Sequence, residues 1–582
     1  MKSGIGTRRA RRTRAVIAGA FGVWLGARCA PSGGAGAAAP PPPSPAADVW
    51  FVDATEDAGL DFTQYAGAGG SLYMPEITGS GVALFDFDED GDLDLYFVNA
   101  NSDLYPAAPR VAPGNRMYRQ DPGGKLVDVT ARAGLSGGGF GQGAYALDFD
   151  NDGHLDLYLT NFGPDQLYRN RGDGTFEDVT ARAGVAVDGW STSAAVCDYD
   201  GDGFLDVFVA RYVRWDRSAS CPDPTGRIDY CTPRAFTPAS DVLLHNQGDG
   251  TFRDVSVRAG LRAADGPGLG VVCEDLNADG RLDFYVADDQ DPNQLWINRG
   301  DGTFRDEAMM RGAAVNLEGR PEAGMGVVAA DMDGDLDLDL FVTHLVQQHN
   351  TFYRNLGEAR GFIDATGPAG LGVNGFPFTG FGVAAFDIEL DGDLDVVVAN
   401  GRVMRGDLKS TTERRAPWNR YAEEGLIHAN RGDGVYELAQ DRAPDYTRRM
   451  EVSRALAVGD LDNDGDLDFV VTNVDARARL YRNVAARRGR WLEVRAIDPR
   501  RKRDAIGARL TLRAGGRTLL RTITTCYSYL CSNDPRAHFG LGSSTRVDEL
   551  EVRWPDGRVE RFAVPDVDRE IRVVRGEGKA VS

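Results

Sequence analysis

From residue 49 to residue 483 short apolar runs rich in Val, Phe, Tyr and Leu alternate with clusters of Gly, Asp and Asn. Runs of this length bounded by turn residues predict β-strands. Their order repeats: a run such as "GVALF", an acidic segment, "LDLYFVN", a run such as "QLYRN", a turn such as "RGDG", and then "TFEDVTARAGV". Four strands per unit follow, with the acidic segment joining the first to the second.

The acidic segment recurs seven times: "DFDEDGDLDLYFVN" from Asp86, "DFDNDGHLDLYLTN" from Asp148, "DYDGDGFLDVFVAR" from Asp198, "DLNADGRLDFYVAD" from Asp275, "DMDGDLDLDLFVTH" from Asp331, "DIELDGDLDVVVAN" from Asp387 and "DLDNDGDLDFVVTN" from Asp460. A spacing of about 62 residues points to a repeat architecture, and seven four-stranded units predict a seven-bladed β-propeller. The chain enters the array with "VWFVDATEDAGL" (49–60), which matches the last strand of a unit, while the seventh unit stops after "RLYRN" (479–483). The N-terminal strand is therefore expected to complete the seventh sheet and seal the ring, a permutation that a β-solenoid would not need.

Calcium takes six to eight oxygen ligands at roughly 2.3–2.6 Å. Side-chain oxygens at positions 1, 3, 5 and 9 of a tight loop, with a backbone carbonyl near position 7, can surround it. In the first copy these positions are Asp86, Asp88, Asp90 and Asp94, with Gly91 at the bend. Without a cation such carboxylates would repel one another. An EF-hand is excluded, because position 12 is Phe97 where that motif needs Glu, and the flanks read as strands. A single copy could be an ordinary acidic turn; repetition in register argues for metal.

These units resemble the FG-GAP/VCBS repeats of integrin α-chain propellers and of many exported bacterial proteins. The resemblance covers roughly residues 48–483 and implies metal ligation through positions 1, 3, 5 and 9. It carries over to Asp148, Asp150, Asp152 and Asp156 in the second copy, and to Asp198, Asp200, Asp202 and Asp206 in the third. In the fourth it falls on Asp275, Asn277, Asp279 and Asp283, and in the seventh on Asp460, Asp462, Asp464 and Asp468. Two copies depart from the pattern. The fifth, with Asp331, Asp333, Asp335 and Asp339, has Leu336 at position 6 and its glycine displaced to Gly334, so its bend needs another solution. The sixth, with Asp387, Glu389, Asp391 and Asp395, carries one longer side chain. About five to seven calcium ions are expected.

Beyond Val484 the repeat ends. Alternating apolar residues and Gly-centred turns predict a small β-sandwich-like domain over 484–577. The blocks "DAIGARL" (504–510), "SNDPRAHFGLG" (532–542) and "VRWPDG" (552–557) resemble the ASPIC/UnbV domain, which follows FG-GAP repeats in proteins similar to the cartilage acidic protein family. The fold class expected is thus all-β, a seven-bladed β-propeller with integrin α-like calcium loops followed by a small β-sandwich-like domain.

The net charge of −22 argues against a nucleic-acid partner, and six histidines in 582 residues leave little room for histidine-based chemistry. Residues 1–30 have a basic start and an apolar run from Ala15 to Ala27, an export signal followed by a Gly/Ala/Pro-rich linker over 31–47. Cys29 stands where a lipidated cysteine would, although Arg28 departs from the small residue such a signal prefers; lipid-anchored and freely secreted forms are both open. Periplasmic, extracellular and outer-surface locations are all compatible. Six further cysteines suit an oxidising compartment. Local disulfides are expected for Cys221 with Cys231 and for Cys526 with Cys531. Cys197 and Cys273, in equivalent places of neighbouring repeats, are either bonded or buried thiols.

Two long insertions, Arg211 to Ser240 and Gly401 to Gly425, follow the second strand of their units and should project from the face opposite the acidic loops. They carry Tyr212, Arg214, Trp215 and Arg217, and Arg414, Arg415, Trp418, Arg420 and Tyr421. Such residues suit a contact surface for a protein or carbohydrate ligand, or a lid in which they pack on one another. Four "RGD" triplets start at Arg171, Arg299, Arg405 and Arg431, three of them in the repeating hairpin, where Gly and Asp serve the turn. No nucleophile elbow, phosphate loop or dinucleotide fingerprint occurs. An exported calcium-stabilised binding or adhesion module is the leading reading. The alternative is a carbohydrate-active lyase or hydrolase on the insertion face using Tyr230, His344, His349 and Arg354. The group Asp534, Arg536 and His538 reads as a polar turn entering a strand.

Overall fold

The computed structural model describes residues 49–100, 104, 114–409, 411–432, 434–486 and 489–581. The export signal, the linker and Cys29 lie outside the described residues. Ala47–Ser582 form one compact unit, and the fold is all-β. No helix among the described residues is long and apolar enough to cross a membrane.

Seven sheets follow the seven repeats. In the second, Phe140–Leu147, Asp156–Phe162, Gln166–Asn170 and Phe176–Asp178 pair antiparallel in sequence order, and the other repeats copy this arrangement. The seventh sheet contains Ser453–Gly459, Asp468–Asn473 and Arg479–Asn483. Its fourth strand is the N-terminal Phe51–Asp53, paired antiparallel with Arg479–Asn483 through Phe51↔Asn483 and Asp53↔Tyr481. The first strand of each sheet lies beside that of the next, and that of the seventh beside that of the first. These inner strands are buried on both faces, which explains why runs such as "GVALF" are apolar without alternation.

The run "TFEDVTARAGV" is only partly strand. Phe176–Asp178 pair in the sheet, and Thr180–Ala183 then form one helical turn. Asp178 accepts the Thr180 N–H at 3.0 Å to start the turn, and Gly184 at φ +74° stops it, a conformation in which a side chain would be strained. Similar turns follow the fourth strand of several other repeats.

From Arg490 onward two further sheets form. One contains Arg490–Asp498, Arg503–Asp504, Ala537–Gly542 and Arg569–Val574; the other contains Arg509–Ala514, Arg517–Thr522, Glu549–Arg553, Val559–Phe562 and Lys579–Ala580. Their apolar cluster is continuous with that of the second to fourth repeats, joining Ile506, Ile523 and Cys526 to Tyr145, Cys197 and Val271.

The segment Thr525–Asn533 threads among the inner strands of the repeats. Cys531–Ser532 pair parallel with Val82 and Ala83, and Ser528 exchanges backbone hydrogen bonds with Val327. Ser528 Oγ accepts the Val383 N–H at 2.9 Å, Asn533 Oδ1 accepts the Val458 N–H at 2.9 Å, and Leu530 N–H donates to Ser193 Oγ at 3.1 Å. Cys526 and Cys531, expected to be bonded, are instead free and buried here, where Cys531 Sγ donates to the Leu456 carbonyl. The disulfides are Cys197–Cys273, joining the third and fourth sheets, and Cys221–Cys231.

Both insertions lie at the sheet ends opposite the acidic loops, since one set of connections joins strands 1 and 2 and the other joins strands 2 and 3. They pack on each other: Tyr421 Oη donates to Asp229 at 2.5 Å, the Arg405 N–H donates to the same carboxylate at 2.8 Å, and the Tyr230 and Tyr421 rings meet edge to face. Tyr212, Trp418 and Tyr421 are buried, and Trp215 packs against Phe162 and Tyr73. The lid arrangement holds for these aromatics, of which Trp215 is only half-buried; Arg214, Arg217 and Arg415 remain exposed.

Candidate metal centres

The acidic loops share most of their backbone hydrogen bonds: in all seven the fifth-position carboxylate accepts the seventh N–H and the ninth-position carboxylate accepts the second N–H. In the second, Asp148 Oδ1 accepts the Asp152 N–H at 3.1 Å and Oδ2 accepts the Gly153 N–H at 3.0 Å, while Asp152 accepts the His154 N–H at 2.9 Å. Asp156 is buried and accepts the Phe149 and Asn170 N–H groups at 3.1 and 2.7 Å. Positions 4 and 6 both take the left-handed conformation, at Asn151 (φ +56°) and Gly153 (φ +104°). The fifth loop has the same bend. Gly334 occupies position 4 at φ +79° and Leu336 adopts φ +73° at position 6, so the displaced glycine moves the strain without changing the turn.

The carboxylates gather in sets that one cation could share. Oxygens of Asp86, Asp88 and Asp90, of Asp148, Asp150 and Asp156, of Asp198, Asp200 and Asp202, and of Asp331, Asp333 and Asp339 lie within 4.8 Å of one another in each set. Ligands 2.3–2.6 Å from one ion stand at such separations, so the donor sets fit a hard cation. Burial raises the carboxyl pKa at the first position, to about 6 at Asp86, Asp148, Asp198 and Asp331 and about 7 at Asp387 and Asp460. The ninth position is pushed up further by the same cause, to about 9 at Asp94 and Asp339 and about 7 at Asp206. Asp156, Asp283, Asp395 and Asp468 rise well above the usual range. Holding these groups ionised therefore calls for positive charge.

Part of that charge comes from arginines that the sequence did not assign to the loops, Arg354 and Arg536 among them. On the third strand, Arg169 reaches Asp150 and Asp152, both at 2.5 Å, Arg354 reaches Asp333 at 2.7 Å, and Arg482 bonds Asp468 and approaches Asp462. The recurring Arg of "YRN" was the available signal. From the other side come guanidiniums of the C-terminal sheets. Arg495 counters the charge of Asp86, Arg503 that of Asp148 and Asp198, and Arg509 that of Asp275. Arg521 does so for Asp331 and Asp387, and Arg536 for Asp460. Several also bind loop carbonyls: Arg501 to Asp202 at 2.7 Å, Arg517 to Asp391 at 2.6 Å, Arg536 to Asp460 at 2.9 Å and Arg509 to Leu336. No sequence motif indicates which strand of a separate domain lands on which loop.

The Asn that ends the third strand links the repeats. Asn170 Nδ2 donates to the Phe87 carbonyl of the preceding loop at 2.8 Å, Asn246 to Phe149 at 2.8 Å and Asn298 to Tyr199 at 2.8 Å. Asn355, Asn430 and Asn483 repeat the contact to Leu276, Met332 and Ile388. In the first repeat Gln120 stands in this place and donates to Leu461 of the seventh at 2.7 Å, completing the circuit. Replacing Asn298 with Ala strands the buried Tyr199 and Leu282 carbonyls, and a loss of about 1–3 kcal/mol is expected in urea denaturation.

The residues considered for catalysis are not brought together. Arg354 is engaged at the fifth acidic loop, Tyr230 packs between the insertions, and His344 is buried with Nδ1 2.8 Å from the His349 carbonyl. His538 is buried with Nε2 2.9 Å from the Gly465 carbonyl, and burial lowers its pKa to about 4. Arg405 is engaged with Asp229, Ile228 and Asp223 of the other insertion.

A family described as "FG-GAP-like repeat" matches residues 86–159, 148–209 and 275–342, and one described as "ASPIC and UnbV" matches residues 498–580. Cartilage acidic protein 1 of Mus musculus is 26% identical over 507 residues, covering 82% of this chain and 62% of that protein. The Homo sapiens protein of the same name is 28% identical over 331 residues, covering 55% of this chain and 45% of that protein. The chain thus spans less than two thirds of the curated relatives it matches. Among solved structures, a lectin from Burkholderia pseudomallei is 11% identical with a TM-score of 0.42, covering 70% of this chain and 97% of that one. An Agrocybe aegerita lectin recognising non-reducing terminal N-acetylglucosamine is 16% identical with a TM-score of 0.37, covering 71% and 90%.

Proposed function

From the premise of a chain that carries FG-GAP-like repeats followed by an ASPIC and UnbV domain, we propose that it is an exported seven-bladed calcium-binding propeller acting as a binding or adhesion module, its calcium structural. The seven sheets are its blades, closed by the N-terminal strand. The domain at 484–577 caps the acidic-loop face.

The observation that carries this reading is register. Seven loops place oxygen donors at the same four positions, with the fifth-position carboxylate accepting the seventh N–H in every copy, at burial that penalises uncompensated charge. In the second loop, for example, Asp148, Asp150, Asp152 and Asp156 would hold the ion, which would supply positive charge and rigidity at the blade edge. Leu336 does not disqualify the fifth loop, because the bend is retained. Two disulfides suit an oxidising location outside the cytoplasm, whether the chain is free or anchored through Cys29.

Because the C-terminal sheets engage the acidic-loop face, a ligand would meet the insertion face, where Arg214, Arg217 and Arg415 are exposed. An acidic protein surface or an anionic carbohydrate fits these residues. A calorimetric titration of chelator-stripped residues 48–582 tests the metal reading. Binding of about five to seven calcium ions is expected; absence of binding would reduce the loops to acidic turns and remove the proposal's main support.

A further inference from the structure

We propose that the third acidic loop, together with His245, takes a divalent transition metal ion of zinc-like ligand preference in place of calcium. The inference rests on the reading of the acidic loops as metal sites and assigns one of them a different ion.

His245 occupies the third-strand position that carries Arg119, Arg169, Arg354 and Arg482 in four repeats, Ile297 in the fourth and Ala429 in the sixth. A guanidinium has no lone pair to give a metal, and the two apolar side chains have none; imidazole does. Of the seven loops, only the third thus adds a nitrogen donor at this place.

The geometry suits ligation. His245 Nδ1 lies 3.1 Å from Asp206 Oδ1 and 3.6 Å from Asp200 Oδ2, and these donors lie within 4.8 Å of one another. Ligands bound at about 2.0–2.2 Å with tetrahedral to octahedral angles stand about 2.8–3.6 Å apart. Asp206 is 1% exposed, and its two oxygens each accept a backbone N–H, from Asn246 at 2.8 Å and from Tyr199 at 3.4 Å, which fixes the carboxylate's orientation.

A second feature separates this loop from the others: among the described residues its first-position Oδ1 has no donor, whereas even in the fifth loop Asp331 Oδ1 accepts the Gly334 N–H at 2.9 Å. In five loops the first-position Oδ1 accepts the N–H of the fifth position. In the third, the Asp202 N–H turns to Asp200 Oδ1 at 3.3 Å, and Asp198 Oδ1 is buried with no hydrogen-bond partner among the described residues. A buried oxygen without a donor is costly unless a cation completes it. The His245 imidazole with the carboxylates of Asp200 and Asp206 forms a mixed set that imidazole-favouring metals accept and calcium, an oxygen-seeking ion, does not select.

The test uses the full chain, stripped of metal and then saturated with calcium, with Co2+ followed by visible absorption and bound Zn2+ by elemental analysis after dialysis. One Co2+ per chain is expected, with ligand-field bands that Zn2+ displaces. His245→Gln should lose the bands and weaken binding by more than the roughly 10–100-fold that follows loss of an outer-shell partner. His349→Gln, on an exposed loop, should retain both. An unchanged calcium-saturated melting temperature for His245→Gln confirms that the variant is folded. Calcium binding without stoichiometric Co2+ or Zn2+ would overturn this inference and leave the calcium reading standing. Equal Co2+ retention by His245→Gln would overturn it as well, placing the ion elsewhere. Failure of calcium and cobalt alike would remove both readings.

Discussion

Stripped of divalent cations, the chain is expected to melt at a lower temperature at pH 8 than at pH 5, and calcium is expected to raise the melting temperature most at pH 8. The sign follows from burial. Asp86, Asp148, Asp198 and Asp331 titrate at about 6, Asp206, Asp387 and Asp460 at about 7, and Asp94 and Asp339 at about 9, against roughly 3.9 in an unfolded chain. A carboxyl whose folded pKa is raised binds its proton more tightly in the fold. Its contribution is therefore complete below about pH 4 and is lost as pH climbs through the folded values, between about 4 and 9. A cation reverses this penalty by stabilising the ionised form. Each site saturated at about a hundred times its dissociation constant adds about 2.7 kcal/mol, so five independent sites would add more than 10 kcal/mol. Calorimetric melts at the two pH values, with and without calcium, measure it. A calcium-insensitive melt, or a stripped protein that gains stability toward pH 8, would contradict the metal reading.

Arg536→Ala is expected to lose about 3–5 kcal/mol in guanidinium denaturation, the range typical of breaking a buried ion pair from one side. Arg536 is nearly buried, pairs with Asp534 at 2.7 Å and Glu493 at 3.1 Å, and donates to the Asp460 carbonyl at 2.9 Å and to Asn463 at 2.8 Å. Removing it leaves three buried carboxyls without their main cation. Burial already holds Glu493 and Asp460 above the usual carboxyl range. The variant is also expected to expose Thr525–Asn533 to proteolysis, because Arg536 anchors the strand that follows this segment to the seventh loop. Arg500→Ala is the control: Arg500 is exposed and pairs with Asp498 away from the loops, and it should change stability by under about 1 kcal/mol. Equal losses in the two variants would deny Arg536 its interdomain role.

Period and residue type are local properties, and what depends on them was legible in the sequence. The acidic segments from Asp86 to Asp468 fall where one strand turns into the next and were legible from spacing, while their reading as ligands at positions 1, 3, 5 and 9 leaned on the resemblance to FG-GAP/VCBS repeats. The pairing of residues 49–60 with the seventh unit followed from a missing strand that had one candidate. Local patterns were less decisive where backbone geometry could substitute for sequence, as at Leu336, which bends like glycine, and in "TFEDVTARAGV", where Asp178 and Gly184 turn an expected strand into a helical turn.

Only the tertiary structure could decide contacts between segments distant along the chain. Arg495, Arg503, Arg509, Arg521 and Arg536 carry no mark assigning them to particular loops, and Thr525–Asn533 gives no sign that it will thread among inner strands. Cys526 and Cys531, close in sequence, remain buried thiols in that threaded segment, whereas Cys197 and Cys273, 76 residues apart, are joined because neighbouring sheets bring them together. The sequence by itself determined the repeat and its acidic chemistry, because both are written within one strand–loop–strand. The charge partners of that chemistry were decided by docking, because burial and long-range electrostatics arise only once the sheets and the C-terminal domain are packed.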